Sequence, residues 1–383
     1  MARALYIHWP FCARKCPYCD FNSHVRASVD HAAWQEALIA DMRHEARLAG
    51  GEPLASIFFG GGTPSLMPPA LVAVLLAEAE RLWGFAPGIE ITLEANPSSV
   101  EAERFAGLAA AGVNRVSLGL QSLDDEALKF LGRLHDVAEG LEAFRTATRV
   151  FERVNADLIY ARPGQTMAGW REELSRAIDL GAGHLSLYQL TIEAGTRFAT
   201  DVRTGAFTPL DDDPAADLFA LTRELTADAG LPAYEISNHA RPGDESRHNL
   251  TYWRYQDYAG IGPGAHGRRG GRATVRHRKP ENWLAAVAGH GNGIAEERAL
   301  AVSEQAAEAL LMGLRLAEGV DLAALSERFH IPANQLIDRE RLRFHQSLGL
   351  VRFEGARITV THSGMPLLDA LLGELVPGEL VAA

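Results

Sequence analysis

The chain has 383 residues, 47% of them hydrophobic, with 36 glycines and a formal net charge of −12. That length can bury a large core and leaves room for a second, smaller unit. The acidic balance argues against a general nucleic-acid binder, whose affinity would rest on neutralising phosphates. No apolar stretch reaches the roughly 18 residues of a membrane span, and no charged n-region leads into an apolar h-region. The expectation is a cytoplasmic protein with no integral membrane segment.

In chain order, β-rich runs at 4–9, 56–59, 90–93, 115–120, 154–159 and 184–190 alternate with helical patterns at 34–48, 69–82, 101–111, 124–131, 136–151 and 167–180. Such alternation predicts right-handed βαβ units around a parallel sheet, either doubly wound or curled towards a barrel. The polar residues that interrupt the apolar pattern fall at strand C-terminal ends: a cysteine loop, the turn Gly60 to Ser65, Glu94 to Pro97, Gln121, and Tyr188 to Leu190. Parallel α/β folds place their ligand sites on that edge, so five segments are expected to converge on one face.

Residues 1–235 therefore read as the α/β unit. Residues 236–295 read as an irregular stretch rich in glycine and aromatics, among them Tyr252, Trp253, Tyr255 and Tyr258, and a loop of that length is usually functional. Residues 296–383 read as a small winged-helix-like unit, with helices at 303–316, 321–329 and 334–348 and a hairpin at 351–360. Its third helical segment carries no basic stripe, so DNA binding is not expected.

The three cysteines of the chain fall within eight positions, Cys12-x3-Cys16-x2-Cys19. An odd cysteine count in a long chain without an export signal does not suit a disulfide framework. A structural zinc with His8 or His24 as fourth ligand stays open, although such sites usually come as two separated ligand pairs. Three thiolates can also hold a [4Fe–4S] cube with one iron left for chemistry.

This spacing resembles the signature of the radical S-adenosylmethionine (SAM) superfamily. The resemblance implies a partial (β/α)6 barrel, with Cys12, Cys16 and Cys19 holding a [4Fe–4S] cluster whose fourth iron is chelated by SAM. Reduction of the sulfonium then yields a 5′-deoxyadenosyl radical. By the same resemblance Gly61, Gly62 and Thr63 grip the methionine end of SAM, and Tyr6, Tyr18, Glu94, Gln121, Arg133 and Asp157 also contact it. From the residues alone, the glycine run is equally a tight βα turn and Tyr6 an ordinary strand aromatic. A mid-strand carboxylate such as Asp157 needs a partner, for which Arg133 or the adenosine hydroxyls are candidates. The segment Tyr160-Ala161-Arg162-Pro163-Gly164 departs from the family, which has Gly-Leu at the second and third positions.

A second segment, His248-Asn249-Leu250-Thr251-Tyr252-Trp253, resembles the H-N-x-x-Y-W haem-binding signature of the HemW-type haem chaperones, relatives of oxygen-independent coproporphyrinogen III oxidase (HemN). The resemblance implies haem binding by His248, Asn249, Tyr252 and Trp253. On chemistry alone, the competing reading is a histidine hydrogen-bonded within a tight loop. Phe21 stands where the oxidase carries a fourth cysteine, and the chain begins at its first strand, where the oxidase has an extension. Cys16-Pro17 is not read as a haem site, because the cluster needs that thiolate. The basic run Arg268, Arg269, Arg272, Arg276, Arg278 and Lys279 could pair porphyrin propionates, or could be a solvated hairpin face.

The reading is a haem chaperone that binds a [4Fe–4S] cluster, SAM and haem, and passes haem to acceptor haem proteins. Oxidative decarboxylation of coproporphyrinogen III, or another radical SAM reaction, is the alternative. An electron donor is needed if SAM is cleaved, no nucleic acid is expected, and homodimer formation is left open.

Overall fold

The computed structural model describes residues 3–49 and 51–381. Six parallel strands form its centre: β1 (Ala4–Trp9), β2 (Leu54–Gly61), β3 (Phe85–Ala95), β4 (Arg115–Gln121), β5 (Arg153–Tyr160) and β6 (His184–Gln189). They pair in sequence order and in parallel. Helices α1 (His31–Ala49), α2 (Pro69–Trp83), α3 (Val137–Val150), α4 (Met167–Asp179) and α5 (Asp212–Asp228) join or flank them. This is the expected partial (β/α)6 barrel. Strands buried on both faces read as near-continuous apolar runs, and β4, Arg-Val-Ser-Leu-Gly-Leu-Gln, is buried over its first six residues. Its alternate residues Arg115, Ser117 and Gly119 face inward and line the barrel cavity, while Val116, Leu118 and Leu120 join the main core.

The segment 236–295 is not irregular. It extends the sheet on both sides of the barrel strands: β7 (Asn238–Ala240) pairs antiparallel with β6, and β8 (Tyr258–Ile261) lies parallel beside β1. Strands β9 (His266–Arg269), β10 (Arg272–Arg276) and β11 (Ile294–Ala299) follow as an antiparallel run, giving an eleven-stranded sheet among the described residues. Glycines hid these strands from a pattern-based reading, because close approach of chains requires them here. A Cβ on Gly260 would run into the His266 carbonyl, and Gly262, at φ +92°, lies against the His8 carbonyl.

A buried ionic network pins this extension to α1. Asp41 and Glu45, both within 1% of full burial, accept from Arg276, itself fully buried, and Glu45 also takes Arg269. Trp283 Nε1 and the backbone N–H groups of Gly262 and Gly293 donate to Asp41 as well. Such a network tolerates the desolvation of its charges because both carboxylates are paired with guanidinium groups and Asp41 also accepts further hydrogen bonds. Trp283 stacks on Trp34 at 5.2 Å between centroids, so helix α7 (Pro280–His290) is held by the same face of α1.

The C-terminal unit has its own core, built on Leu310, Leu314, Phe329, Ile358 and Leu372. Helices Val302–Gly313 and Leu322–Phe329 match the expected ones. The third expected helix is split into Ala333–Leu336 and Arg339–Ser347. The hairpin Val351–Glu354 and Arg357–Val360 gains a third strand, Val320–Asp321. A further helix, Leu368–Leu375, closes the core. Among the described residues no helix is long and apolar enough to cross a membrane.

Candidate functional site

The cysteine loop leaves β1 at the C-terminal edge of the barrel and folds over it. Cys12, Cys16 and Cys19 are all unpaired and half-buried, and they line a cavity of about 740 Å³ that runs down the barrel axis. Burial raises the Cys12 and Cys19 thiols above their ordinary range, so binding a metal there releases protons. Among the described residues no three Cys, His, Asp or Glu side chains converge on a single ion. A cube, by contrast, takes one thiolate per iron and holds them wider apart.

The glycine turn after β2 is shaped by the cysteine loop. Gly62 N donates to the Trp9 carbonyl at 2.7 Å and Thr63 N to the Phe11 carbonyl at 2.8 Å. Any side chain on Gly62 would meet the Pro10–Phe11 backbone, and Gly61, at φ +114°, lies over the His8 ring. Gly61 N donates at 3.1 Å to the Glu94 carboxylate. Burial, followed by the Asp157 charge, pushes Glu94 up to about 8, with the Gly61 bond only partly compensating. A half-buried acid with one backbone donor fits a cationic ligand, and SAM carries an ammonium and a sulfonium.

Arg133 is the other half-buried charge at the mouth. It donates to Asn96 Oδ1 at 2.6 Å, the Gly119 carbonyl at 3.0 Å, Tyr18 OH at 3.4 Å and Cys16 Sγ at 3.5 Å. Asp157 is therefore not its partner. That carboxylate accepts from Ser117 Oγ at 3.1 Å and Asn155 Nδ2 at 2.5 Å, and burial raises its pKa. Gln121 takes a left-handed φ of +66° at the end of β4 and lines the cavity with Tyr18, Thr63 and Asp157. Tyr6 does not line it. It stacks on Phe58, donates to His8 Nδ1 at 3.0 Å and faces a second cavity on the far side of Gly61 and Glu94.

Sequence reasoning missed the polar wall below the mouth: Arg115, Ser117, Asn155 and Ser186, on three neighbouring strands. The signal was the two-residue alternation, which puts these residues on the inner face of strands whose outer face is apolar. Asn96 lay in the expected strand-end segment Glu94 to Pro97 without being singled out as a contact; it holds Arg133 and donates to Thr63 Oγ1 at 3.1 Å.

The segment with His248 forms α6 (Arg247–Trp253), capped by Ser246 and by Glu90, which accepts from the backbone N–H of Arg247 and His248. His248 is 1% exposed. Its Nδ1 pairs with Ser56 Oγ at 3.0 Å and its Nε2 with Tyr252 OH at 2.6 Å, and its ring stacks on Phe58. Burial holds its pKa down near 3. Both ring nitrogens of His248 thus carry hydrogen-bond partners in this arrangement, as in the competing reading of a histidine bonded within its loop. Tyr252 packs edge-on against Tyr258, and Trp253 lies under the Arg315 guanidinium. Of this segment, Asn249 lines the barrel cavity.

The basic run divides along chemical lines. Arg276 and Arg269 are spent in the buried network, Arg272 pairs Glu297 at 2.7 Å, and Arg268 covers the Tyr255 ring at 3.6 Å. Arg278 faces the second cavity, and no carboxylate of a described residue pairs with it.

A parallel half-barrel with three thiols over its C-terminal edge and an acid beside a glycine turn defines a protein of the radical SAM superfamily. That superfamily's profile matches residues 6–177, and the HemN C-terminal domain matches residues 300–367. The chain is 40% identical to the "Heme chaperone HemW" of Escherichia coli (strain K12), over 82% of this chain and 83% of that one. It is 35% identical to the protein of that name from Mycobacterium tuberculosis (strain ATCC 25618 / H37Rv), over 97% and 94%. The mouse "Radical S-adenosyl methionine domain-containing protein 1, mitochondrial" is 41% identical over 98% and 87%. The structure of E. coli coproporphyrinogen III oxidase (HemN) matches with a TM-score of 0.82 at 23% identity, over 97% of this chain and 89% of that one, and shows the same fold. The chain belongs to the HemW family of radical SAM proteins.

Proposed function

We propose that this protein is a haem chaperone of a reducing, cytoplasmic compartment. It holds a [4Fe–4S] cluster on Cys12, Cys16 and Cys19, binds SAM, takes up haem and passes it to acceptor haem proteins. Carrying the reading is the Cys12–Cys19 loop, whose three thiols line a cavity shared with Glu94, Arg133 and Asp157, together with relatives named for haem chaperoning. Glu94 and the Gly61 to Thr63 turn would hold the cationic methionine end of SAM. Asp157, set by Ser117 and Asn155, would meet ligand hydroxyls deeper in the barrel. When bound, the cluster would supply one-electron reduction of SAM, for which an external electron donor is needed. Arg133 donates to Cys16 Sγ and to the Gly119 carbonyl, which fixes the loop against β4.

The test is anaerobic. The cluster is reconstituted, then haemin or coproporphyrinogen III is supplied with SAM and reductant, and haem absorbance, 5′-deoxyadenosine and protoporphyrinogen are recorded. Stoichiometric haem uptake that transfers to an apo-haem protein, with no porphyrinogen conversion, is expected. Porphyrinogen-dependent decarboxylation would replace the chaperone with the oxidase. One zinc and no iron after reconstitution would remove both.

A further inference from the structure

Two neighbouring strand ends at the barrel mouth hold a conformation that side chains resist. Gln121 closes β4 at φ +66° and Ala161 follows β5 at φ +56°, in the left-handed region where a Cβ crowds the backbone. The two strands pair directly, with Gln121 opposite Leu158, and their register shifts between Leu118 and Gln121. Tyr255 and His330 share this φ range, but neither lines the barrel cavity. Strain of this kind persists only where the surroundings over-determine it, and it gathers at ligand clamps.

The surroundings here are a buried ion pair. Arg162, just beyond β5, and Glu173, on α4, are both buried, and Arg162 Nη2 donates to Glu173 Oε2. Ser122, next to Gln121, bridges them: its Oγ accepts from Arg162 Nη1 at 2.7 Å and donates to Glu173 Oε1. The same carboxylate oxygen accepts from Leu123 N at 2.8 Å, and Arg162 Nη1 also reaches the Ile159 carbonyl at 3.2 Å. One guanidinium and one carboxylate thus clamp both strained ends. Neither of them lines the barrel cavity.

What the clamp holds in place is an amide. Gln121 lines the cavity, and its Nε2 lies over Gly119, where an added Cβ would meet it at 2.7 Å and Arg133 Nη2 at 3.5 Å. The cavity's other amides, Asn96 and Asn155, are bonded through both their oxygen and their nitrogen. The Gln121 amide has no hydrogen-bond partner among the described residues.

We propose that Arg162 is a positioning residue for SAM: through Glu173 and Ser122 it fixes the left-handed end of β4 and so aims the free Gln121 amide at the ligand. The proposal rests on the SAM-binding reading above and gives Arg162 and Glu173 no contact with the ligand. Without the clamp, Gln121 relaxes towards extended backbone, which turns its side chain off the Gly119 face. Holding the amide in advance spares binding the cost of ordering it.

The test titrates the full-length, cluster-reconstituted protein with SAM anaerobically by calorimetry, beside a thermal melt of each variant. Arg162→Leu alone would strand the Glu173 charge, so the variant used is Arg162→Leu/Glu173→Gln, which keeps an acceptor for Leu123 N and leaves no buried charge. It should melt close to the parent and bind SAM about tenfold more weakly, the worth of one well-placed hydrogen bond. Ser122→Ala, which keeps the ion pair and removes the hydroxyl between it and Gln121, should weaken SAM by the same route. Gln121→Ala should lose as much as the paired substitution, and combining the two should cost nothing further, because the clamp acts only through that amide. A merely structural pair would weaken SAM equally whether or not Gln121 is present. Parental SAM affinity in both clamp variants, or losses that add in the combined one, would overturn the positioning role while leaving the SAM-binding reading intact. A wild-type chain that binds no SAM would overturn that reading together with the proposal.

Discussion

The barrel mouth and helix α6 both bring together the residues that the sequence singled out, yet they use them in opposite ways. At the mouth, Cys12, Cys16, Cys19 and Glu94 turn their polar atoms towards open space. In α6, His248 and Tyr252 turn theirs towards each other and towards Ser56, and bury them. A constellation can hold a ligand only where some valence is left over, and hydrogen-bond satisfaction separates the two cases better than proximity does. Substitution should therefore cost the mouth its cofactors and cost α6 its stability.

The largest effect is expected at the thiols. Replacing Cys12, Cys16 and Cys19 together by Ala should take reconstituted iron from about four atoms per chain to near zero. The same variant should unfold at a temperature close to that of the metal-free parent, because the three thiols are half-buried and unpaired. Iron and sulfide analysis with a thermal melt checks both halves. Retained iron would mean that the cluster sits elsewhere.

His248→Ala comes next and should behave in the opposite manner. It removes a fully buried ring, two hydrogen bonds and the stack on Phe58, and should lower unfolding stability by about 2–4 kcal/mol. Urea denaturation of the metal-free protein reads this directly. A variant within 0.5 kcal/mol of the parent, on the order expected of a surface change, would show that the ring is free to leave its pocket.

The contrast also explains what was legible in the chain. The six barrel strands and most of their helices were readable, because apolar runs of strand length alternate with helical periods and the turns carry glycine and proline. Strands β7 to β11 were not. Their pairing depends on contacts distant in sequence, such as Asp41 with Arg276 and Asn22 with Pro263, and glycine at 260, 262 and 264 reads locally as loop. The cysteine loop, Glu94, Arg133 and Asp157 were legible as cavity residues, and Tyr6 faces the neighbouring cavity that Gly61 and Glu94 also line. Ala161 was legible as a departure from the family without its consequence. It holds a left-handed φ of +56°, where the family's glycine would be unstrained, and Arg162 is tied down in a buried pair with Glu173.

Glu94 sharpens the comparison through pH. Its carboxyl in the ligand-free protein is held up to about 8 by burial and by Asp157, against an ordinary value of 4.5. A cationic ligand needs the carboxylate, so binding SAM below pH 8 must first expel a proton. Affinity should rise with pH, roughly tenfold per unit between pH 6 and 8, and level off above. For folding the sign is reversed. The folded chain holds this proton more tightly than the unfolded one, so Glu94's contribution to stability is fully present below pH 4.5 and is lost as pH rises towards 8. Calorimetric titration with SAM across that window checks the first statement, and Glu94→Gln should flatten the profile. A flat profile in the parent would mean that Glu94 is ionised before the ligand arrives.

The smallest effect tests α6 at the level of one atom. Tyr252→Phe keeps the ring against Tyr258 but removes the hydroxyl that pairs with His248 Nε2. The imidazole is left buried with one nitrogen unsatisfied, which should cost about 1–3 kcal/mol of unfolding stability. The same change would expose the nitrogen that iron would need, with Ser56 still holding Nδ1. If His248 were the haem ligand, freeing Nε2 should tighten haemin binding. If the ring is structural, binding should stay the same while stability falls, and measuring both on one variant separates the two roles of the segment.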